Sequence, residues 1–561
     1  MKLTGAQILM EVFKEEGVDT IFGFPGGTVI DIYDKLNETD FDHVLVRHEQ
    51  GAVHAADGYA RVSGKVGVCI VTSGPGATNT VTGIATAYMD SIPLIVITGQ
   101  VPIHLIGNDA FQEVDIVGIT RPCTKHNYLV KDINELQSVL KEAFYIARSG
   151  RPGPVLVDIP KDVSSGSATF KANQKVHLRS YNPTYNPNIK QLQKVVSLIK
   201  NAKKPLIFAG GGVILSHASE GLNEFAQKAK IPVTMSLMGL GGFPGTDPLS
   251  LGMIGMHGTF RANMSSGQCD LLIGIGVRFD DRVTGKIDSF APNAKIVHID
   301  IDPTSIRKNV PVTIPVVGDC RVSLAKLNQL LDQEDLEKIT AGRKEWLDQI
   351  EGWKSAHKLA YDQDEIIKPQ YVVEKLYELT RGDAIITTEV GQNQMWAAQY
   401  YHFNKPGRFV TSGGLGTMGF GLPAAIGAQK ACPDMLVVDI AGDGSIQMNM
   451  QEMATAVQFN LPVKVVILNN CFLGMVRQWQ QLFYDKRYSC TCMEGAPDFV
   501  KLAEAFGAKG LRATTPKEVK EVLSEGLSTP GPVIMDFVVA KEECVYPMVP
   551  AGSPITEMLL A

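Results

Sequence analysis

The sequence is notable first for what it has little of. No stretch of 18 apolar residues runs without a charge, which excludes a membrane-spanning helix. No tract of Lys and Arg stands out, and 53 basic residues against 59 acidic ones leave a net charge of -6, a poor match for a polyphosphate backbone such as nucleic acid. Cysteine is sparse and scattered: the nine are single except for Cys490 and Cys492, which fits neither a disulfide framework nor a paired CxxC zinc site and points to a reducing cytoplasm. The opening "MKLTGAQILMEVFKEEGVDT" has helical apolar spacing with acids inside it, so the uncharged core of a signal peptide is missing.

What is present is bulk and a repeated pattern. At 561 residues, 45% apolar, the chain is long enough for about three or four globular domains with their own cores. Short runs rich in Val, Ile and Leu recur, each followed by a Gly-containing turn and a longer helix-like segment. "IPLIVITG", "PVLVDIP", "KPLIFAGGG", "DLLIGIGVRF", "MLVVDIAGDG", "VKVVILNN" and "PVIMDFVV" are examples. Continuous rather than alternating apolar runs predict strands buried on both faces of parallel sheets, with helices as crossovers. Two segments break the rhythm: 164–188 is polar with prolines, and 332–365 is charged and helical without a strand. They divide the chain into units at 1–165, 190–335 and 365–545, with a tail at 546–561. The expected fold is α/β, three doubly wound parallel-sheet domains.

The most specific chemical signal is "GDGSIQMNMQEMATAVQFNLPVKVVILNN", Gly442 to Asn470. It predicts a strand, a tight turn, a helix beginning at Ser445 and the next parallel strand. In a right-handed βαβ unit Asp443 and Asn470 then emerge together at the carboxyl edge of the sheet. One carboxylate and one amide oxygen suit Mg²⁺, which usually takes few protein ligands and completes its six oxygens with a phosphate. The helix start offers free N–H groups to that phosphate. A Gly-Asp-Gly turn alone is usually only a turn; the paired asparagines at this distance make the metal-diphosphate reading the stronger one. Upstream, "GLGTMG" (Gly414 to Gly419), after a strand "RFVTS" and opening a helical stretch with Asp439 beyond it, has the written form of a dinucleotide fingerprint. A lone GxGxxG is weak evidence, and a nicotinamide-dependent redox enzyme is the minor reading.

GDG followed by NN is the motif of thiamine diphosphate enzymes, and "RHEQGAVHAADGYAR", "SGPGATN", "DAFQE", "GVRFDDRVTGK", "GLGTMGFGLPAAIGA" and "LNNCFLGMVRQWQ" occur in the order found in one branch of them. Over essentially its entire length the chain resembles the catalytic subunits of acetohydroxyacid (acetolactate) synthases. The resemblance implies pyrimidine-binding, central FAD-binding and diphosphate-binding domains in that order. It implies decarboxylation of pyruvate and ligation of the two-carbon unit to pyruvate or 2-ketobutyrate, at the start of branched-chain amino acid synthesis. The alternatives are a thiamine-dependent pyruvate oxidase, a 2-keto acid decarboxylase, or a binding-only paralogue that would have lost Glu49, Asp443 or Asn470.

Residue by residue, the resemblance assigns Glu49, placed at the end of the strand "HVLVRHE", to the proton exchange that activates the cofactor. A carboxyl in an apolar pocket is suited to that task. Met418 matches the apolar residue over which the cofactor bends. Gly391, Gln392, Asn393, Gly416, Gly442, Gly444, Ser445 and Met475 match cofactor contacts, and Phe472 completes the metal shell of Asp443 and Asn470 through its carbonyl. Arg282 matches the cation that holds the incoming keto acid. Gln112, Phe111 and Lys161 match the substrate channel, Gly26 and Gly27 allow close backbone approach, and Trp479 with Met475 shapes the acceptor pocket. The FAD positions are Arg151, His257, Gly258, Arg278, Asp280, Asp300, Ile301 and Asp319. Because Glu49 and Asp443 act on one small molecule from different chains in this family, a homodimer or a dimer of dimers is implied, with a small regulatory subunit as its companion.

Overall fold

A computed structural model describes residues 1–560. Twenty strands in chain order form three six-stranded parallel sheets and one two-stranded ribbon. The first part contains β1 (Lys2–Thr4), β2 (Thr20–Phe24), β3 (Asp42–Leu45), β4 (Gly67–Val71), β5 (Leu94–Gln100), β6 (His126–Leu129), β7 (Pro154–Pro160) and β8 (Ser167–Thr169). The second contains β9 (Pro205–Ala209), β10 (Val233–Met235), β11 (Ser250–Met253), β12 (Leu271–Ile275), β13 (Lys295–Asp300) and β14 (Ile314–Val317). The third contains β15 (Ile385–Thr388), β16 (Phe409–Val410), β17 (Val437–Gly442), β18 (Lys464–Asn469), β19 (Lys509–Ala513) and β20 (Val533–Val538). The continuous apolar runs are the central strands: β4, β5, β7, β9 and β12 are buried at every residue, as strands covered by helices on both faces must be.

The first sheet runs β3-β2-β4-β5-β7-β6 and the third β16-β15-β17-β18-β20-β19. Numbering the strands within each six-stranded sheet in chain order, both orders are 2-1-3-4-6-5. The second runs β11-β10-β9-β12-β13-β14, or 3-2-1-4-5-6, the order associated with dinucleotide binding. Its direction reverses between β9 and β12, and a crevice opens there at the carboxyl ends of the strands.

The two interrupting segments are less separate than their composition implies. Within 164–188, β8 pairs antiparallel with β1 in the register Lys2↔Thr169, so this polar stretch closes the first unit before the chain becomes irregular. The charged stretch forms helices Leu336–Ala341 and Lys344–Ala356, and the second is held to the middle sheet. Trp346, 2% exposed, donates its indole N–H to the Pro205 carbonyl at 3.1 Å, next to the start of β9. The first and third units meet through helices Glu49–Ser63 and Gly421–Ala431, whose interface buries His54, Asp57 and Phe420.

Candidate functional site

The Gly442–Ser445 turn lies at the carboxyl edge of the third sheet. β17 and β18 are adjacent and parallel, so the residues that follow them are neighbours. The Asn470 N–H donates to Asp443 Oδ1 at 3.3 Å. Asp443 Oδ2 is buried and has no hydrogen-bond partner, and burial pushes the carboxyl up to about 7. An anionic oxygen with no donor in a dry site is unstable unless a cation meets it. The local helix is shorter than the sequence predicts: Asp443–Ile446 is one turn, and a separate helix, Glu452–Gln458, follows after an irregular link. The turn therefore begins at Asp443 itself and not at Ser445.

Neighbouring amides fix this corner. Asn470 donates through Nδ2 to Gln392 Oε1 at 3.1 Å, while its Oδ1 accepts the Phe472 N–H at 3.0 Å. Gln392 in turn donates to Gln478 Oε1 at 2.9 Å and to the Glu543 carbonyl at 3.0 Å. Its side chain is thus committed to holding Asn470. Asn393 ties two strand ends together, its amide donating to the Glu389 and Ile440 carbonyls at 2.9 and 2.8 Å, which leaves its oxygen as the free polar group.

Gly416 and Met418 lie in an irregular loop, not at a helix start, since the helix opens only at Gly421. Two buried carboxylates from different units hold the loop: Asp90 accepts the Gly413 and Gly414 N–H groups at 3.1 and 2.7 Å, and Glu389 accepts those of Gly419 and Leu422 at 2.6 and 3.2 Å. Asp439 is fully buried and accepts from the Thr387 hydroxyl at 3.2 Å. It cannot reach a ribose, so the fingerprint form of this segment is accidental. Burial raises both Glu389 and Asp439; the Glu389 charge adds to the rise of Asp439, while backbone N–H donors pull Glu389 back down. Sequence reasoning names Asp439 only as the acid of a dinucleotide fingerprint, although an acid inside an apolar strand run, as in "LVVDIAG", signals a buried carboxyl; it passes over Glu389 and Asp90.

A single cavity of about 1500 Å³ joins this corner to the crevice of the middle sheet. From the third unit it is lined by Gly391, Gln392, Asn393, Gly416 and Met418, and by Gly442, Asp443, Gly444, Ser445, Asn470 and Phe472. Met475 and Trp479, on helix Gly474–Phe483, also face it, which takes the indole out of the core. From the middle unit come Arg278, Asp280, Arg282, Asp300, Ile301 and Asp319, with His257, and from the first unit Arg151.

The middle part of the cavity is a built crevice. Gly212, after β9, and Gly276, after β12 (φ +59), approach so closely that a Cβ on Gly212 would lie 2.6 Å from Gly276 Cα. Both line the cavity, although the sequence reading gave them no role; the "AGGG" and "GIG" after two strands were the cue. His257 is 5% exposed and burial pushes it down to about 4, so its ring is neutral. Its Nδ1 lies 3.2 Å from the Pro547 carbonyl, which can only accept, so the proton sits on Nδ1 and Nε2 remains an acceptor without a partner. Gly258 does not line the cavity and packs against the Gly255 backbone instead. Arg282 is exposed, with Asp281 its nearest carboxylate at 3.9 Å. Arg151 donates to Ser91 Oγ at 2.8 Å and to Asp302 Oδ2 at 3.1 Å.

The remaining first-unit residues form a second cluster outside this cavity. Glu49 opens helix Glu49–Ser63; β3 has already ended at Leu45, so Glu49 is not the end of a strand. Its Oε2 accepts from Asn79 Nδ2 at 2.9 Å, and Oε1 faces Gly76. Lys161, just past β7, donates to the Gly27 carbonyl at 3.3 Å, and Gln112 (φ +59) packs on Gly74. Gly26 lies against Thr72, and Phe111 is 89% exposed. All belong to the carboxyl edge of the first sheet. One chain therefore carries two separate clusters: the cavity with the Asp443–Asn470 corner, and an edge with Glu49 outside it. Among the described residues no group of three or more His, Cys, Asp or Glu side chains could hold a metal unaided.

Comparison with known proteins supplies the context. Residues 3–119 match the thiamine pyrophosphate enzyme N-terminal TPP binding domain, 192–327 the central domain, and 389–537 the C-terminal TPP binding domain. The chain is 51% identical to the acetolactate synthase large subunit of Haemophilus influenzae, covering 100% of this chain and 98% of the relative. It is 51% identical to the acetolactate synthase isozyme 3 large subunit of Escherichia coli, covering 100% and 99%. It is 46% identical to the acetolactate synthase large subunit of Cyanidium caldarium, covering 99% and 96%.

Proposed function

The chain belongs to the acetolactate synthase large subunits, a family of thiamine pyrophosphate enzymes, and from that premise we propose how its residues divide the synthesis of 2-acetolactate from two molecules of pyruvate, or of 2-aceto-2-hydroxybutyrate from pyruvate and 2-ketobutyrate. When bound, thiamine diphosphate would supply the carbon nucleophile that decarboxylation and ligation of a keto acid require. Glu49 holds or releases a proton at Oε1, the oxygen left free by Asn79, toward the pyrimidine of that cofactor.

The observation that carries the assignment is the orphaned Asp443 Oδ2 beside Asn470. With the Phe472 carbonyl these oxygens would hold Mg²⁺, and the N–H groups of Gly444 and Ser445 would be donors for the diphosphate. Gly391, Gly416 and Gly442 let the backbone come close, Gln392 and Asn393 brace the corner, and Met418 gives an apolar ridge for the bend. FAD fits the middle crevice by its strand order and by the Gly212–Gly276 approach; Arg151, His257, Arg278, Asp280, Asp300, Ile301 and Asp319 hold it, with Gly258 shaping the turn behind His257. Since carboligation transfers no net electrons, the flavin is structural. Arg282 pairs with the carboxylate of the acceptor keto acid, and Trp479 and Met475 bound the space beside its alkyl group.

Glu49, Phe111, Gln112 and Lys161 reach the cavity of a second copy, which makes the homodimer the smallest active unit and a dimer of dimers its extension. Exposed Ile30 and Phe111 beside the Glu49 edge, and Leu415, Met448 and Val476 at the metal corner, are apolar surfaces that such an assembly would cover. The name "large subunit" carried by the relatives supports a smaller regulatory companion. No helix among the described residues is long and apolar enough to cross a membrane, and with the scattered free cysteines this supports a cytoplasmic site of action. The test is product analysis from pyruvate with and without 2-ketobutyrate. Acetolactate alone, then both acetohydroxy acids, is expected; acetaldehyde or acetate as the main product would overturn the synthase in favour of a decarboxylase or an oxidase.

A further inference from the structure

Glu452 lies nine positions beyond Asp443, at the start of helix Glu452–Gln458, and is 1% exposed. It does not line the cavity. Its carboxylate instead reaches into the first unit. Oε1 accepts the Arg47 N–H at 3.0 Å and the His48 N–H at 2.9 Å, Oε2 lies 3.1 Å from the same Arg47 nitrogen, and the Thr455 hydroxyl donates to Oε2 at 2.7 Å. Arg47 and His48 are the two residues immediately before Glu49, and His48 itself caps the helix through Nδ1 to the Gln50 N–H at 3.2 Å.

Burying a carboxylate is costly, and burial lifts Glu452 to about 7 against the pull of these donors. A chain of this size could cap one helix with a local Ser or Asp at far lower cost. The acid placed here does something a local cap cannot. It ties the backbone that presents Glu49 to the segment carrying the metal turn, across 405 positions of sequence.

We infer that Glu452 is a positioning residue for the carboxyl group of Glu49. The two N–H bonds fix where the helix begins, while Asn79 fixes the side chain from the other side. Glu452 touches no substrate or cofactor and acts through Glu49 alone. The inference rests on the proposed proton role of Glu49, and the experiment separates the two. Exchange of the thiazolium proton for deuterium is followed by quench and NMR in reconstituted holoenzyme, for wild type, Glu49→Gln, Glu452→Gln and the double variant.

Glu452→Gln should slow exchange roughly 10- to 100-fold, the scale of a misplacement of about 1 Å, with half-saturation by thiamine diphosphate and Mg²⁺ unchanged. In the Glu49→Gln background the same change should cost nothing further, because a residue acting through another is not additive with it. Equal fold-losses in both backgrounds, or wild-type exchange in Glu452→Gln, would overturn the inference and leave the Glu49 reading standing. Wild-type exchange in Glu49→Gln would remove both. If Glu452→Gln does not fold, Glu452→Asp carries the same comparison, since it keeps the charge and withdraws it by one methylene.

Discussion

Gly474 opens the helix that carries Met475 and Trp479, and replacing it with alanine tests how tightly the proposed metal corner is built. A Cβ there would fall inside the contact radius of Gln392 Oε1 and lie 2.8 Å from both Gln392 Cδ and Asn470 Nδ2. No real contact of this kind is tolerated, so something must move. Gln392 is the flexible partner, but its amide is held by the buried Gln478 and by the Glu543 carbonyl. Moving it breaks the 3.1 Å bond to Asn470 and strands a buried amide, at about 1–3 kcal/mol for an unsatisfied group. Alanine in place of glycine would by itself favour the helix by up to about 1 kcal/mol, so the loss must be read at the site and not from global stability. At about 2 kcal/mol, half-saturation by Mg²⁺ should rise roughly thirtyfold at saturating thiamine diphosphate. Gly352→Ala is the control, because it sits in helix Lys344–Ala356 with nothing within 4 Å of a new Cβ. It should leave the metal requirement alone. A Gly474→Ala enzyme with wild-type Mg²⁺ half-saturation would refute the argument that Gln392 braces Asn470.

Three further outcomes are expected. Trp479→Leu should shift the ratio of acetohydroxybutyrate to acetolactate, formed in competition, by roughly 10- to 200-fold at most, the worth of one methylene in an apolar pocket, while the rate with pyruvate alone changes less; an unchanged ratio removes the indole from acceptor choice. In anaerobic turnover with excess pyruvate the flavin absorbance should stay oxidised as acetolactate accumulates, and bleaching at the turnover rate would favour the oxidase. His54 is fully buried with Nδ1 unpartnered, and burial pushes it down to about 3 from 6.5. A depressed pKa gives stability that is present above pH 6.5 and lost as the pH falls toward 3, so this group adds a slope of up to about 1.4 kcal/mol per pH unit over that range. His54→Gln should flatten the acid limb by that amount in unfolding curves, and an unaltered slope would mean the imidazole is already charged.

The legibility of this chain followed its physics. Strands buried on both faces must be apolar throughout, so the ten or so strongest runs could be read directly, whereas β6, β10, β14 and β19 are short or lie toward sheet edges and carry no such mark. Asp443 and Asn470 were placed together because adjacent parallel strands leave no other arrangement. The helix between them was read as continuous, but an uninterrupted apolar period cannot reveal a link where Asn449 is buried to bind the Gly419 carbonyl. "HVLVRHE" reads as extended to its end and so predicts Glu49 on a strand; a helix start fixed by an acid 403 positions away leaves no local trace. The same is true of Asp90 and Glu389, whose partners are backbone groups on a remote loop.

The strand order 2-1-3-4-6-5, present in both the first and third sheets, has a further consequence. Two copies of one wiring diagram imply two equivalent turns, and the counterpart of the turn after β17 is the one after β4. There the chain reads Thr72-Ser73-Gly74-Pro75-Gly76, with no carboxylate where Gly442-Asp443-Gly444-Ser445 has one. The same wiring therefore sets an acidic turn at one sheet edge and a turn without a carboxylate at the other, so the side chains and not the strand order decide which edge can attract a cation. Placing an aspartate at Ser73 would put a carboxylate at the equivalent edge of the first sheet and separate what the wiring supplies from what the side chain supplies.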